Sequence, residues 1–334
     1  MGMKTAIGMS GGVDSAVAAL LLKERGLDVV GVTMALGRAD EAESVAAAQA
    51  VAARVGIPLK VFDLAEAWRE NILRYVRDSY LGGQTPNPCV RCNETVKFGL
   101  LPQLAFDLGC ARFATGHYAR LVPGCASRVR LCRGVDRMKD QSYFLYRVDP
   151  EILSRTDFPL GGLTKAQVRE KARAFGLEIA DKGDSQDFCG GDPMTIMGTD
   201  PKEGDIVTVD GKVLGKHRGF WNYTIGKRKG LGIGGGTPYY VVGLRAETNE
   251  VVVGFREQTV VREFRIRDAV GAPPDGGEAL AVKVRSAGEP KGPVFWEGDR
   301  VRCPDGLSGV APGQSAVFYR GEEIVGGGII DIWR

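Results

Sequence analysis

Ser10, Asp14 and Ser15 lie among three glycines in the run Gly8-Met9-Ser10-Gly11-Gly12-Val13-Asp14-Ser15. The run stands between an apolar, strand-like segment (5–9) and an alanine- and leucine-rich, helix-like one (16–25). At such a strand-to-helix turn, glycines let the backbone approach an anion, and the first N–H groups of the helix point at it. The two hydroxyls add donors, and the Asp14 carboxylate suits a hard cation such as Mg2+. No Lys follows the glycines, so this is not the GxxxxGK[ST] loop. A glycine-rich turn with capping serines is the plainer alternative.

A second set is made of thiols. Cys89 and Cys92 lie in the proline-rimmed loop Thr85-Pro86-Asn87-Pro88-Cys89-Val90-Arg91-Cys92-Asn93, which leads into a helix expected over 93–108. Cys92 near that start would have its thiolate favoured by the macrodipole, and Arg91 adds positive charge. A structural zinc site needs four ligands, and there is no second CxxC. Cys189, followed by Gly190 and Gly191, is the natural distant partner, whereas Cys110, Cys125, Cys132 and Cys303 have no spacing partner and read as bystanders. His117 follows a strand end and either lines the site or is a structural histidine; His217 reads as structural. Basic residues concentrate at Lys227, Arg228 and Lys229 around Tyr223, and at Arg120, Arg128, Arg130, Arg133, Arg137 and Lys139. Both suit phosphate contacts, a solvated basic turn being the default for the first.

The elements that must position these groups fall into two textures. Over the first half, strands (27–35, 58–64, 112–116) alternate with helices (40–54 behind a capping Asp, 65–81 with Trp68, Ile72 and Tyr75/Val76 on one face, and 93–108). That alternation predicts a doubly wound parallel sheet, with ligands at the carboxyl ends of its strands. Thr164-Lys165-Ala166-Gln167 predicts a capping box opening a helix that ends near Gly176. Beyond about residue 200, short β-rich runs (206–209, 239–244, 250–253, 259–264, 279–285, 300–303, 314–319, 330–333) predict a small linking domain and a terminal β-barrel. The expected fold is thus α/β followed by β, with domains at 1–198, 199–257 and 258–334. The 334 residues are 44% hydrophobic and 25% charged with a net charge of +3, ordinary for a soluble protein and too weakly basic to prove a polyanionic partner. No eighteen-residue apolar stretch or leader pattern occurs, so no membrane association and a cytoplasmic location are expected. Seven cysteines without a regular framework then read as buried, catalytic or metal-binding rather than disulfide-bonded.

Ser-Gly-Gly-Val-Asp-Ser looks like the pyrophosphatase loop of enzymes that split ATP between its α and β phosphates. Six motifs in one order extend the likeness: that loop, Pro88–Phe98, Thr115–Ala119, Lys139–Phe144, Ser185–Cys189 and Tyr223–Leu231. Together they resemble the tRNA-specific 2-thiouridylase family over almost the whole chain. The resemblance implies an ATP pyrophosphatase domain of the adenine nucleotide alpha hydrolase kind. It also implies MgATP as co-substrate and 2-thiolation of the wobble uridine of tRNA through an adenylylated C2 oxygen. Gly8, Met9, Ser10, Gly11, Gly12, Val13, Asp14 and Ser15 would then hold the phosphates, and Met34 and Gly116 would contact the nucleotide. Cys92 matches the nucleophile, Cys189 the persulfide carrier, and Asn87, Pro88 and Cys89 the tripeptide against the target base. Lys139, Asp140 and Gln141, with Arg285 and Ser286, match tRNA-contacting segments. The partners implied are the anticodon stem-loop of Lys-, Glu- or Gln-type tRNAs and a sulfur donor (a relay protein, a desulfurase or sulfide).

Cys89 departs from the family, many members carrying Asp there as a proposed general acid/base. A thiol titrates near about 8.5 rather than about 3.9 and cannot simply replace it. Either Cys89 is an adventitious variant, or Cys89, Cys92 and Cys189 hold an iron–sulfur cluster, such as [4Fe-4S], with one open iron. The alternatives are another enzyme of this loop class (a 2-thiocytidine synthetase or an amide-forming ligase) and a non-catalytic RNA-binding module. The first type usually has two CxxC pairs, ligases have no need of Cys92 and Cys189, and the intact loop argues against the module.

Overall fold

A computed structural model describes residues 3–124, 129–177, 202–234 and 237–331. The chain divides into two compact units: 1–72 with 89–188 and 322–324, and 73–88 with 189–321 and 325–334.

The first unit is built on five parallel strands: β1 (Lys4–Gly8), β2 (Asp28–Ala35), β3 (Leu59–Asp63), β4 (Arg112–Ala114) and β7 (Thr156–Asp157). Their order across the sheet is β3-β2-β1-β4-β7. Successive side chains alternate between faces. Ile7 and Val29 enter a core with α1 (Val13–Glu24), α2 (Glu41–Val55) and Val168 and Ala172 of α8 (Lys165–Ala174). Ala6 and Val30 enter the opposite core, with Phe98, Leu101 and Phe113. The expected doubly wound sheet is present. Its winding direction reverses between β1 and β4, which leaves a crevice at the carboxyl ends of those strands.

Local departures from expectation are instructive. Asp40 precedes α2, but its carboxylate pairs with Arg38 (2.9 Å) and makes no cap to the helix amides. The helix expected over 65–81 comprises α3 (Ala65–Trp68), a π-helical turn (Arg69–Leu73) and α4 (Arg74–Leu81). Trp68, Ile72 and Val76 are buried on it as the spacing required. The helix expected to begin at Asn93 begins earlier, as α5 (Pro88–Cys92), and passes through a π segment (Asn93–Leu100) into α6 (Leu101–Asp107). Proline suits a first helical position because its missing N–H is not needed there. The basic segment after residue 118 is a hairpin of β5 (Ala119–Pro123) and β6 (Val129–Arg133), with Glu323 opposite Cys132. After α7 (Pro150–Ser154), the capping box forms: the Thr164 N–H donates to Gln167 Oε1 (2.8 Å) and the Gln167 N–H to Thr164 Oγ1 (3.3 Å).

The second unit carries a mixed sheet made of β8 (Gly204–Thr208), β9 (Val213–His217), β10 (Tyr240–Arg245) and β11 (Glu250–Gly254), in the order β10-β11-β8-β9. A barrel follows: β12 (Val260–Gly271), β13 (Leu280–Lys283), β14 (Lys291–Glu297), β15 (Arg300–Ser308), β16 (Ser315–Arg320) and β17 (Glu323–Ile330). Its order β12-β15-β14-β13-β16-β17 is closed by β12–β17 pairing. Trp296 stacks on Phe318 inside it, with ring centroids 4.5 Å apart. Sequence patterning missed β14, where Pro293 interrupts the run, and misplaced the last strand, where three glycines erase the alternation. Two of them stand where no side chain fits: a Cβ on Gly326 would lie 2.3 Å from the Val270 carbonyl oxygen, and one on Gly328 2.9 Å from Ile266 Cβ. No described helix is long and apolar enough to cross a membrane.

Candidate active site

β1 ends at Gly8, and α1 starts at Val13. The first bond of that helix runs from the Ala16 N–H to the Gly12 carbonyl (3.2 Å). The amides of Val13, Asp14 and Ser15 therefore have no intrahelical acceptor and face the mouth of the turn. The Ser10 N–H donates to Ser15 Oγ (3.2 Å), and that hydroxyl donates to the Gly12 carbonyl (3.0 Å), closing the loop on itself. Gly11 has φ +75°, and a Cβ there would lie 2.7 Å from Ala47 Cβ and 2.9 Å from the backbone of α2. Two residues past the neighbouring strand β4, a Cβ on Gly116 would lie 2.9–3.0 Å from Asp14 and Ser15 backbone atoms. Gly11 and Gly116 thus let α2 and the segment after β4 close on the turn, while a Cβ on Gly8 or Gly12 would make ordinary contacts of 3.5 Å or more. The turn offers amides and hydroxyls beside a carboxylate, a set suited to a metal-bound polyphosphate. Met34 is near the end of β2, half-buried and opposite Phe62.

Asp14 is held by two groups that sequence reading did not connect with it. Lys165 Nζ lies 2.8 Å from both of its carboxylate oxygens, and the Tyr118 hydroxyl donates to Oδ1 (2.8 Å). Tyr118 belongs to a motif already singled out; Lys165 was visible only as a member of the capping box. His117 is buried, 2.7 Å from Thr115 Oγ1 and packed against Phe98 and Phe158. Burial, helped by the Lys97 charge, holds its pKa well below the usual imidazole range, so the ring is neutral and has a structural setting. His217 accepts from the Gly219 N–H at Nδ1 (3.0 Å), so its proton sits on Nε2 and is donated to the Asn249 carbonyl (3.1 Å).

The thiols differ from expectation. Cys92 is the last residue of α5 rather than the first of a helix, and it is 1% exposed. Burial pushes its pKa up to about 11; the Lys97 charge and backbone N–H pull it down, and Cys89 pushes it up. The expected lowering by a helix start is thus overturned. The charge facing it is Lys97, since Arg91 pairs with Glu94 (3.1 Å), which also binds Arg147 (2.9 Å). Cys89, half-buried, lies one turn before Cys92 on the same short helix, so two soft sulfur donors stand three residues apart. Cys189 and the rest of Ser185–Cys189, with Cys125 and Arg128, lie outside the described residues. Cys110, Cys132 and Cys303 are buried, with pKa values raised chiefly by burial.

Asn87 and Pro88 lead into α5, and the two residues before them are gripped by Gln314, whose Nε2 donates to the carbonyls of Thr85 (3.1 Å) and Pro86 (3.0 Å). Much of the basic stretch after residue 118 is neutralised. Arg120 and Arg137 pair with Glu322, Arg130 with Glu323, and Arg133 with Asp140 inside the fold. Asp140 also accepts from the Gly134 and Ser142 amides (both 3.1 Å), and Gln141 Oε1 accepts from the Tyr118 N–H (3.0 Å). Lys139 is half-exposed between them. Arg285 donates to the carbonyls of Gly309 (3.1 Å) and Ile225, beside exposed Lys227, Arg228 and Lys229, and Ser286 is exposed.

Residues 3–190 match the family described as tRNA methyl transferase HUP domain. Residues 197–255 match the tRNA methyl transferase PRC-barrel domain, and 262–330 the aminomethyltransferase beta-barrel domain. Among curated proteins, the chain is 41% identical to the tRNA-specific 2-thiouridylase MnmA of Nostoc punctiforme, covering 98% of this chain and 99% of that protein. It is 42% identical to the protein of that name from Chloroflexus aurantiacus (97% of each chain). To that of Endomicrobium trichonymphae it is 40% identical, covering 98% of this chain and 99% of that protein.

Proposed function

Because this chain belongs to the tRNA-specific 2-thiouridylase family and is a tRNA sulfurtransferase of the ATP pyrophosphatase type, we propose that it thiolates C2 of the wobble uridine in two steps. In the first, the uridine C2 oxygen attacks the α phosphorus of ATP, the bond from that phosphorus to the bridging oxygen breaks, and pyrophosphate leaves. In the second, sulfur adds at C2 and AMP departs with the former oxygen. The observation that carries the reading is the start of α1, where the Val13, Asp14 and Ser15 amides precede the first intrahelical bond and stand beside the Asp14 carboxylate.

The residues then divide the work. The amides of Val13 to Ser15, with the Ser10 hydroxyl, bind phosphate oxygens, the Ser15 hydroxyl holds the loop closed through Gly12, and Asp14 would hold Mg2+. Met34 and Gly116 flank the nucleoside. Asn87, Pro88 and Cys89 lie against the base, which must be turned out of its stack to be reached. Lys139, Arg285, Ser286 and the exposed run 227–229 contact the anticodon stem-loop backbone of Lys-, Glu- or Gln-type tRNA. Asp140 and Gln141 serve by holding that segment in shape.

Sulfur is handled by Cys92 and Cys189, and Cys89 lies one turn before Cys92. Cys89 and Cys92, three residues apart on α5, favour a role with Cys189 as thiolate ligands of an iron–sulfur cluster, since metal coordination deprotonates a thiol outright. Such a cluster would supply an open iron able to hold a sulfide. In the second reading the outer sulfur of a Cys189 persulfide, loaded by a donor protein or a desulfurase, bonds to C2 as AMP leaves. The Cys92 thiolate, favoured by the Lys97 charge, then attacks Cys189 Sγ. The S–S bond to the transferred sulfur breaks, and a Cys92–Cys189 disulfide is left for an external thiol to reduce. Iron and labile sulfide assayed on active, anaerobically purified protein separate the two. The reaction itself is tested by AMP and pyrophosphate release that depends on unmodified tRNA; no release supports a binding module instead.

A further inference from the structure

The phosphate loop lacks a cation of its own. Between Gly8 and Ser15 there is no Lys or Arg, yet the pyrophosphate that leaves must gather negative charge as the bond to the α phosphorus breaks. Among the described residues, the cation paired with the loop comes from a distant part of the sequence. Lys165 opens α8, where its position is fixed three ways. The Thr164–Gln167 capping box sets the helix start, its own backbone N–H donates to Asp136 Oδ2 (2.8 Å), and Val168 and Ala172 pack α8 into the core shared with α1. Its side chain is 8% exposed, and its ammonium lies 2.8 Å from each oxygen of Asp14, whose own side chain is 32% exposed.

This pairing puts an ammonium where the loop's polyphosphate charge must be balanced, and it occupies both carboxylate oxygens that a divalent ion would need. We propose that Lys165 is the cation of the triphosphate subsite. On entry of MgATP its ammonium passes from Asp14 to the β and γ phosphate oxygens, Asp14 turns to the metal, and Lys165 then stays with pyrophosphate as it leaves. Each charge exchanges one partner for another, so a buried ammonium is at no stage left uncompensated. The Tyr118 hydroxyl keeps Asp14 oriented through the exchange by its bond to Oδ1. This inference rests on the ATP reading of the Gly8–Ser15 loop.

The experiment measures binding of MgATP, inorganic pyrophosphate and AMP to the full chain by calorimetry, for wild type, Lys165→Met and Lys165→Arg. Lys165→Met is expected to weaken MgATP and pyrophosphate at least about tenfold, as loss of one partner of a close charge pair does, and to leave AMP within about twofold. Lys165→Arg, which keeps the charge, is expected to lie between. Equal MgATP and pyrophosphate affinities for wild type and Lys165→Met overturn the proposal, as does an equal loss for AMP. Should Lys165→Met fail to fold, wild-type chain labelled with 15N-lysine decides: pyrophosphate must shift the Lys165 ammonium resonance, and an unmoved resonance overturns the proposal. A wild-type chain that binds neither MgATP nor AMP sinks the ATP reading itself; a wild type that binds MgATP no better than Lys165→Met sinks the Lys165 assignment alone.

Discussion

One amide nitrogen, Nε2 of Gln314, donates to two consecutive carbonyls, those of Thr85 (3.1 Å) and Pro86 (3.0 Å). The Thr85 N–H in turn donates to the Pro312 carbonyl (2.8 Å), and a Cβ on Gly313 would lie 2.9 Å from Gln84 Cβ. The turn before β16 thus fixes the segment from which Asn87 and Pro88 project. Gln314→Leu removes the shared donor, at a cost of about 1–3 kcal/mol. The expected outcome is a KM for tRNA raised by about fivefold or more with MgATP affinity unchanged. Steady-state kinetics against each substrate check it, and an unmoved tRNA KM shows that the tripeptide needs no such support.

Cys92 should respond to alkaline pH in two ways. Its folded pKa of about 11 exceeds the ordinary thiol value of 9.0, so the folded chain holds this proton more tightly than the unfolded one. The resulting stability is complete below the ordinary value and is lost as pH rises through about 11; in full it amounts to roughly 3 kcal/mol. In metal-free protein, wild type should lose more stability to urea than Cys92→Ala between mildly and strongly alkaline buffer. Alkylation of Cys92 should also rise about tenfold per pH unit until the thiol is titrated. Rapid alkylation at neutral pH contradicts this.

Gly11→Ala tests the turn. At φ +75°, with Ala47 Cβ 2.7 Å away and α2 backbone at 2.9 Å, the new methyl meets backbone that cannot yield cheaply. A left-handed non-glycine residue alone costs about 1–2 kcal/mol, and displacement of α2 adds to it. A lowered melting temperature and lost MgATP binding are expected. Gly162→Ala, where an added methyl meets nothing within 4 Å, should change neither.

Asp140 and Lys139 are neighbours with opposite expected behaviour. Asp140 is 1% exposed in its pair with Arg133, itself 6% exposed, and two backbone amides depend on it. Asp140→Ala should therefore cost about 3–5 kcal/mol of stability, seen as a fall in urea midpoint. Lys139→Ala should leave the midpoint unchanged, weaken tRNA binding and flatten its salt dependence by about one phosphate contact. The reverse pattern would assign the RNA contact to Asp140.

The turn at Gly8–Ser15 was legible because it is local: its glycines, hydroxyls and carboxylate fall between a strand and a helix that each declare themselves, and the structure places the turn there. The parallel sheet was legible for a similar reason, each strand and helix declaring its own period. Lys165 was not, because only the packing of α8 on α1 brings it to Asp14. The protonation of Cys92 was misread from a helix start placed at Asn93, when Pro88 opens the helix and buries the thiol. The chain's passage from the first unit to the second between Ile72 and Leu73 leaves no mark on the continuous amphipathic pattern of 65–81. The charges at Arg120, Arg130 and Arg137 suggested RNA contact because their acids, Glu322 and Glu323, are remote in sequence.

The central claim is that ATP cleavage and sulfur insertion are one reaction at one uridine. The direct test follows AMP release and 2-thiouridine together, by nucleoside mass spectrometry on unmodified tRNA with sulfide or a persulfide donor, for wild type, Cys92→Ala and Cys189→Ala. Wild type should form one AMP per 2-thiouridine, and both variants should form no 2-thiouridine while still binding tRNA. Thiolation without ATP, or 2-thiouridine made by Cys92→Ala, would contradict the account.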